Sequence, residues 1–450
     1  MDSTKSCMML QGHSGKGKCM IGCVKKTILR SVMVLLLGVM CTGIFGASEA
    51  KAGTTAHRAV WVCFYEYYST GLSNRTEAAF KSNAEKLFKS IKNYGCNEVF
   101  FHVRAFDDAI YPSKIVGWSS YMCSDKKSPG YDPLKILVEK AHEQKLKIHA
   151  WMNPYRVTTS KILNPAKAKT RKRIVSQVKE IIDNYDVDGI HFDDYFYLGS
   201  KYNKVKAKTR RKHVNKLIKE VYNTVKAKSK DLEFGISPAG NIEYSMSIGG
   251  DVKTWMSKKG YIDYIVPQIY WSDQYKLSGT MHKLFTERLA EWRSLNKIDL
   301  PMYIGMGVYR AGKTKKQVKP DYGWAKKNNN LVTQLKKIKD GNCEGYSLFA
   351  YSDMVGSTAR KEMNKFLIEL GWISLNKTSV TIKKGETFKI TAKWAPAKNP
   401  CAEDIDFRSL DGEIAVVDKN GVITALKEGT CKVQAISGDK VKSCTVTVEN

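Results

Sequence analysis

Acidic residues are scarce in this chain. Its 450 residues include 44 Asp and Glu against 74 Lys and Arg, which leaves a formal net charge of +30. Charge of this sign attracts polyanions such as nucleic acid or an anionic cell wall. The sequence contains no zinc-finger spacing, Walker loop or RNA-binding signature, and its Lys residues are spread along the whole chain. We therefore expect no nucleic-acid partner, and a solvated basic surface that favours an anionic cell wall.

A disulfide framework is also missing. Of 11 Cys, four lie in the first 52 residues, and the others are odd in number and widely separated, with no Cys-x-x-Cys pair. This pattern predicts buried free thiols, and it leaves open a bridge among Cys401, Cys431 and Cys444. The sequence lacks His-x-His and His-Glu-x-x-His spacings as well, so we predict no metal ion and no other cofactor.

Residues 1–52 have the pattern of a leader with a secretory signal peptide. Lys25, Lys26 and Arg30 precede the apolar run 31–45, and small residues follow it up to Ala52. The run is shorter than the roughly 20 apolar residues that span a membrane, which makes an uncleaved anchor the less favoured alternative. We expect a protein that is secreted or associated with the cell surface and wall.

Strand-like and helix-like segments alternate over residues 58–371. Short apolar runs rich in aromatic residues cover 59–67, 97–105, 147–155, 189–197, 233–240, 263–271, 301–309 and 345–353. Amphipathic helical patterns between them include 76–94, 134–145, 168–185, 206–229, 280–296 and 357–370. Eight such units predict an α/β fold, the (β/α)8 or TIM barrel. A doubly wound sheet is disfavoured because no Gly-rich phosphate turn follows the first strand.

The pattern changes in residues 373–450. Short segments with alternating polarity are separated by turn signals at Lys384-Gly385, Asn420-Gly421 and Ser437-Gly438, which predicts a small all-β, immunoglobulin-like sandwich. The stretches SLNKTSVTIKKGE, IAVVDKNGVITALKEGT and CTVTV resemble the group-two bacterial immunoglobulin-like module. Such modules serve as spacers or adhesive domains on surface proteins.

Carboxylates lie where the chemistry of a barrel is expected, at the carboxyl ends of its strands. Asp193 and Asp194 end the otherwise apolar fourth strand, where burying two acids is costly without a purpose. Glycoside cleavage requires two carboxyl groups. We predict Asp193 and Asp273, the latter after the sixth strand, as this pair, with Asp194 as the competing choice. Asp273 is explained equally well as a helix cap.

Aromatic and polar side chains at the same strand ends predict a sugar-binding site, because aromatic faces stack on pyranose rings and polar groups bond to hydroxyls. The predicted substrate-binding residues are Arg104, Asp108, His149, Trp151, Asn153, Tyr155, Arg156, His191, Asn241, Gln268, Tyr270 and Trp271. Alternatives remain for several of them: the two His as satisfied core residues, the two Trp and Tyr270 as barrel packing, and Asp108 as a cap.

Long stretches of the barrel region resemble the bacterial glycosyl-hydrolase-like family ten. They read RAVWV, NEVFFHVRAFDDAIYPS, PGYDPLKILVEKAHEQKLKIHAWMNPYRV, DGIHFDDYFY and DYIVPQIYW. The resemblance implies a TIM barrel related to the α-galactosidase-like superfamily, with Asp193 as nucleophile and Asp273 as acid/base. It also implies a cell-wall glycosidase that cuts peptidoglycan glycan strands stripped of their stem peptides.

The sequence departs from the family pattern in two loops. Arg104-Ala105-Phe106 replaces a turn of Pro-Gly type before Asp107, and Leu198-Gly199 follows the fourth strand where relatives often have Pro. These changes touch the substrate groove. Tyr195 stands where a chitinase-like motif has its acidic Glu, which disfavours substrate-assisted catalysis.

Three functions are compatible with these patterns. The first is an exported glycosidase that acts on a cell-wall polysaccharide. The second is a non-catalytic glycan-binding or adhesive surface protein with the same aromatic rim. The third and weakest is a polyanion-binding protein, whose binding would fall steeply with salt.

Overall fold

The computed structural model describes residues 56–199, 202–326, 329–340, 343–400, 405–438 and 440–450. The predicted leader, residues 1–52, lies outside these ranges. Across the part of the chain that is described, no helix is long and apolar enough to cross a membrane.

Eight parallel strands form a barrel. They are β1 (His57–Val62), β2 (Glu98–Arg104), β3 (Lys147–Met152), β4 (Gly189–Asp193), β5 (Glu233–Ser237), β6 (Tyr264–Ile265), β7 (Tyr303–Met306) and β8 (Gly345–Leu348). They pair in the order β7-β8-β1-β2-β3-β4-β5-β6. Isolated parallel bridges at Ile265–Met302 and Gln268–Gly305 join the two ends of this sheet. The predicted (β/α)8 barrel is confirmed, and each strand ends earlier than its apolar run because the run continues into the loop.

Helices connect the strands on the outside of the barrel. Their bounds are Glu77–Asn93, Pro133–Glu143, Ala168–Asn184, Ala207–Lys228, Ile242–Ser247, Val252–Trp255, Leu284–Leu295, Lys315–Val318, Gly323–Lys326, Asn330–Lys339, Tyr351–Val355 and Arg360–Leu370. The first helix illustrates how the sequence specifies them. Thr76 caps it by accepting a hydrogen bond from the Ala79 amide, and Phe80, Ala84 and Phe88 bury one face against the barrel.

Polar residues fill part of the barrel interior. The Tyr264 hydroxyl lies 2.8 Å from Nδ1 of His149 and 3.0 Å from Nδ1 of His191. Gly235 makes room for this arrangement, because a Cβ atom there would overlap the Tyr264 ring. A Cβ atom at Gly189 would lie 2.6 Å from the His149 ring. Two strand glycines therefore allow bulky polar rings to pack inside the barrel.

The C-terminal region consists of small β-sheets. Its strands are Trp372–Leu375, Ser379–Lys383, Thr387–Lys389, Ala392–Ala395, Asp406–Ser409, Ala415–Val417, Val422–Ala425, Gly429–Ser437 and Lys440–Glu449. They pack around a core of their own that includes Ile390, Val433 and Val446. Cys431 and Cys444 are free buried thiols, so no bridge joins them. Cys401 lies outside the described residues.

Candidate active site

The carboxyl groups of Asp193 and Asp194 lie at the carboxyl end of β4. They are 6% and 7% exposed. Oδ1 of Asp193 accepts hydrogen bonds from the Asp194 amide at 2.9 Å and from Nε2 of Gln268 at 3.1 Å. Oδ2 of Asp194 accepts a hydrogen bond from the Ala239 amide at 2.7 Å. Backbone and side-chain donors from the loops after β5 and β6 thus hold the two acids.

Burial raises the pKa of both carboxyl groups, and their environments separate the two values. For Asp193 the Asp194 amide, the charge of Arg156 and the Gln268 amide oppose the effect of burial, and the pKa is about 6. For Asp194 the charge of Asp193 adds to the effect of burial, and the pKa is about 8. The two protons belong to the pair. Near neutral pH the pair therefore carries one proton, as an acid working beside an ionised carboxylate requires.

Arg156 supplies the positive charge beside this pair. Its guanidinium lies 4.2 Å from the centre of the Tyr195 ring and 5.3 Å from that of Phe106. Its Nε donates a hydrogen bond to the Thr158 carbonyl at 3.3 Å. The side chain is only 6% exposed. Two aromatic contacts and one hydrogen bond therefore hold the cation close to Asp193 in a water-poor environment.

A second Arg stabilises the loops around the site. Nη2 of Arg104 donates a hydrogen bond to Asp107 at 2.9 Å, and Nη1 donates to the Asn153 carbonyl. Arg173 also reaches Asp107, at 3.1 Å. Asn153 donates to the Ala105 carbonyl at 2.8 Å. Arg104 and Asn153 are buried and hold the walls of the mouth together, and neither is exposed to a ligand.

Asp273, the predicted partner of Asp193, has a different set of contacts. It accepts hydrogen bonds from the Thr286 amide at 2.8 Å and from the Thr286 hydroxyl at 2.6 Å, and it lies 3.7 Å from Nζ of Lys337. Asp273 thus bonds the N-terminal turn of helix Leu284–Leu295 in the manner of a cap, although the N-cap residue of that helix is Lys283. The acid beside Asp193 in this structure is Asp194, the competing choice of the sequence argument.

The predicted sugar-binding His residues lie below the mouth. His149 and His191 have no exposed surface. His191 stacks on Phe100 with ring centres 3.9 Å apart, and its Nε2 lies 3.0 Å from the Ser237 hydroxyl. His149 lies 3.3 Å from Glu98. A dissolved sugar cannot reach either ring, so the structure favours the alternative interpretation of both as core residues, although Nε2 of His149 has no hydrogen-bond partner among the described residues.

Three of the remaining predicted binding residues make contacts within the protein. Trp151 stacks on His102 inside the barrel, and Tyr155 is 1% exposed. The side chain of Asn241 accepts a hydrogen bond from the Tyr244 amide at 2.8 Å and caps a short helix. These three residues are structural in their contacts.

Four predicted residues lie closer to solvent. Tyr270 packs on Phe349 at 5.5 Å, and Trp271 is partly buried against the barrel core. Asp108 accepts a hydrogen bond from the Phe106 amide at 3.0 Å, and it lines a cavity. Gln268 bonds Asp193, as described above, and also the Ser237 carbonyl at 2.8 Å. Whether each one binds sugar stays a prediction.

The sequence argument did not single out two features of this mouth. Glu66 is buried in the loop after β1 and accepts hydrogen bonds from the amides of Cys63 and Ser352, both at 2.6 Å. Its position directly after an apolar strand was a usable signal. The second feature is a cavity of about 490 Å³ between the loops that follow β2 and β3. It includes Trp118 and Tyr121, which lie too far beyond their strand for strand-end reasoning to find.

Comparisons with known proteins agree with the strand-end motifs. The chain matches the profile of the family glycosyl hydrolase-like 10 over residues 56–162 and 155–325, and that of the bacterial Ig-like domain (group 2) over residues 372–448. It is 30% identical to the glycosyl hydrolase DigH of Escherichia coli K12, over 61% of this chain and 75% of that protein. It is 28% identical to the glycosyl hydrolase YngK of Bacillus subtilis strain 168, over 64% of this chain and 67% of that protein.

Solved structures align at lower sequence identity. The PgaB (BpsB) glycoside hydrolase domain from Bordetella bronchiseptica aligns at 11% identity with a TM-score of 0.48, over 69% of this chain and 98% of that one. A family 18 N-acetylglucosaminidase from Paenibacillus barengoltzii aligns at 10% identity with a TM-score of 0.46, over 68% of this chain and 98% of that one. The family profile covers more than half of the sequence. The chain therefore belongs to the glycosyl hydrolase-like 10 family, and a group 2 bacterial Ig-like domain follows its barrel.

Proposed function

We propose that this protein is an exported glycosidase that hydrolyses cell-wall glycan, with Asp193 and Asp194 as its working carboxyl pair. The observation that carries the proposal is the burial of these two acids together at the barrel mouth, with pKa values raised to different extents. Family membership supports glycoside hydrolysis. The strand-end motifs support peptidoglycan strands free of stem peptides as the substrate. The leader pattern of residues 1–52 and the basic chain support export to an anionic wall.

The pair has the two protonation states that the reaction requires. Glycoside hydrolysis requires one carboxyl group that protonates the leaving oxygen and one ionised group that faces the anomeric carbon. Asp194 has the higher pKa and donates its proton to the leaving oxygen as the glycosidic bond breaks. Asp193 is ionised, favoured by Gln268 and Arg156, and stabilises the positive charge at the anomeric carbon. Water then adds its oxygen to that carbon and returns a proton to Asp194.

Three matched Asp→Asn variants test this assignment. The assay is release of reducing ends from purified peptidoglycan, with and without amidase pretreatment. We expect Asp193→Asn and Asp194→Asn each to lower the rate by at least about 100-fold, because each removes one of the two required groups. Asp273→Asn should keep most of the activity, since its contacts are with Thr286 and Lys337.

The outcomes separate the alternatives. Preference of the wild type for amidase-treated wall would identify stripped strands as the substrate. An inactive Asp273→Asn variant together with an active Asp194→Asn variant would return the acid role to Asp273. Retained binding to the wall without any release of reducing ends would contradict hydrolysis and favour a glycan-binding surface protein.

A further inference from the structure

The cavity between the loops that follow β2 and β3 is separate from the groups that the proposed reaction uses. It has a volume of about 490 Å³, which lies in the range of small-molecule sites in proteins. Its walls come from the loop after β2, through Phe106, Trp118 and Tyr121, and from the loop after β3, through residues 157–159. Neither Asp193 nor Asp194 lines it. Because these loops and the carboxyl pair all follow the carboxyl ends of barrel strands, the cavity lies at the same end of the barrel as the pair.

Aromatic rings connect this cavity to the carboxyl pair. Phe64 lies 4.6 Å from Tyr121 and 5.1 Å from Phe106, between ring centres. Phe106 also contacts the guanidinium of Arg156, whose other contact is Tyr195, the residue next to Asp194. The contacts thus run from the cavity through Phe64 and Phe106 to the guanidinium of Arg156, and from there to Tyr195 at the end of β4.

Part of this series of contacts is open to solvent. Tyr121 is 40% exposed, and Tyr65, which packs 5.3 Å from Phe64, is 42% exposed. Two exposed Tyr rings on either side of the buried Phe64 place aromatic surface within reach of a ligand in the cavity. The C–H faces of pyranose rings are ligands that stack on such side chains, which accept apolar contact on one face and water at the edge.

The charges in the cavity suit a neutral ligand. Asp107 is neutralised by Arg104 and Arg173, which lie 2.9 Å and 3.1 Å from it. The other two charged side chains of the wall are Asp108 and Lys126, of opposite sign. The three positive and two negative groups nearly cancel, so the cavity offers donors and acceptors to hydroxyl groups with only a single positive charge in excess.

We propose that this cavity is a distal subsite that holds a neutral sugar ring of the glycan away from the cleaved bond. The inference rests on the proposed function and deepens it. The substrate is an extended glycan chain that lies along Tyr121, Phe106 and Arg156 towards the carboxyl pair, and a longer chain binds more tightly because it also fills the cavity. Trp118 supplies the stacking face, and Lys126 and Asp108 bind the hydroxyl groups. None of these three residues takes part in the bond-breaking step.

Binding of chains of different length tests the subsite. The probe is glycan strands freed by amidase from purified peptidoglycan and separated into short and long fractions. Binding is measured by calorimetry on the inactive Asp193→Asn protein, so that the strands stay intact. We expect affinity to rise with length, and Trp118→Ala in the same background to lower affinity for long strands by about tenfold. The loss for short strands should be smaller.

Two further variants keep the result interpretable. Lys126 is exposed and has a left-handed backbone φ of 58°, which Gly adopts without strain, so Lys126→Gly should fold well and still weaken binding of long strands. Its neighbour Lys127 does not line the cavity, and Lys127→Ala is the matched control. Trp118→Phe should restore much of the length dependence that Trp118→Ala removes.

The result that would overturn the subsite is an equal effect of Trp118→Ala on short and long strands. The wild type is assayed for reducing-end release on the same fractions. Cleavage without any dependence of affinity on length would leave the proposed function standing and overturn the subsite. If binding depends on strand length and Trp118→Ala removes that dependence, but the wild type cleaves none of the fractions, the subsite is supported and hydrolysis is overturned. Absence of both binding and cleavage would overturn both.

Discussion

Asp194→Asn should stabilise the folded protein at alkaline pH while it abolishes activity. The pKa of Asp194 is raised from 3.8 to about 8 by burial and by the charge of Asp193. The folded protein therefore binds this proton more tightly than the unfolded chain does. The resulting contribution to stability is complete below about pH 4 and is lost as the pH rises through about 8. Asn carries no charge at any pH, so the variant does not incur this loss.

The magnitude follows from the size of the shift. The pKa of about 8 lies well above the usual 3.8, so the tighter binding of this proton by the folded protein corresponds to several kcal/mol, on the order of 6 at most. Part of it is repulsion that the two acids share, and Asn retains one acceptor oxygen for the Ala239 amide. We therefore expect the variant to exceed the wild type by about 3 kcal/mol in free energy of unfolding at about pH 9. The difference should vanish or reverse at about pH 5.

Urea denaturation at these two pH values measures the effect. Titrating groups that do not interact with Asp194, such as Glu98, are the same in both proteins, so their contributions cancel in the difference, and the change that remains belongs to the Asp193–Asp194 pair. Asp273→Asn is the control: it weakens a helix cap and should lower stability at both pH values. A loss of stability in Asp194→Asn of equal size at the two pH values would refute the argument that Asp194 is a buried, repelled acid.

Two further predictions follow from the same geometry. The rate of reducing-end release should be bell-shaped in pH, with limbs near 6 and 8 from the coupled acids; a profile flat from about pH 5 to 9 would contradict the one-proton pair. Gly235→Ala should lower the free energy of unfolding by about 3 kcal/mol in urea melts, because its Cβ atom would overlap the Tyr264 ring. Gly117→Ala is its control, since open space surrounds that position. Equal effects of the two changes on the free energy of unfolding would show that the barrel interior accommodates the added methyl group, and would contradict this prediction.

The fold could be predicted from the sequence because its signals are local. Apolar runs mark the strands β1 to β8, and amphipathic periods mark the long helices between them. The end of the fourth run also marked Asp193 and Asp194, since two acids after a buried strand are visible without a structure. The helix Asn330–Lys339 was missed, and the predicted strands were too long, because aromatic loop residues continue the apolar pattern.

The partner of Asp193 could not be read from the sequence. Asp194 and Asp273 were both acids at suitable strand ends, and the choice depended on which one reaches the site and which one caps a helix. In the structure the Thr286 amide and hydroxyl engage Asp273, while Asp194 stays beside Asp193. These contacts join segments that are distant along the chain, so a single sequence does not contain them, and the choice of Asp194 stays a proposal that the Asp→Asn variants test.

The sequence by itself determined the order of the β/α units, the character of residues 373–450 as a β module, and the acids at the end of β4. Only the tertiary structure decided how deep each side chain lies along the barrel axis. Strand periodicity tells which face a residue occupies, but the register between strands sets how far along the barrel axis it lies, and this register puts His149 and His191 in the interior. The tertiary structure also decided the raised pKa values of Asp193 and Asp194 and the cavity between the loops after β2 and β3. Both depend on burial and loop packing by groups that are far apart along the chain.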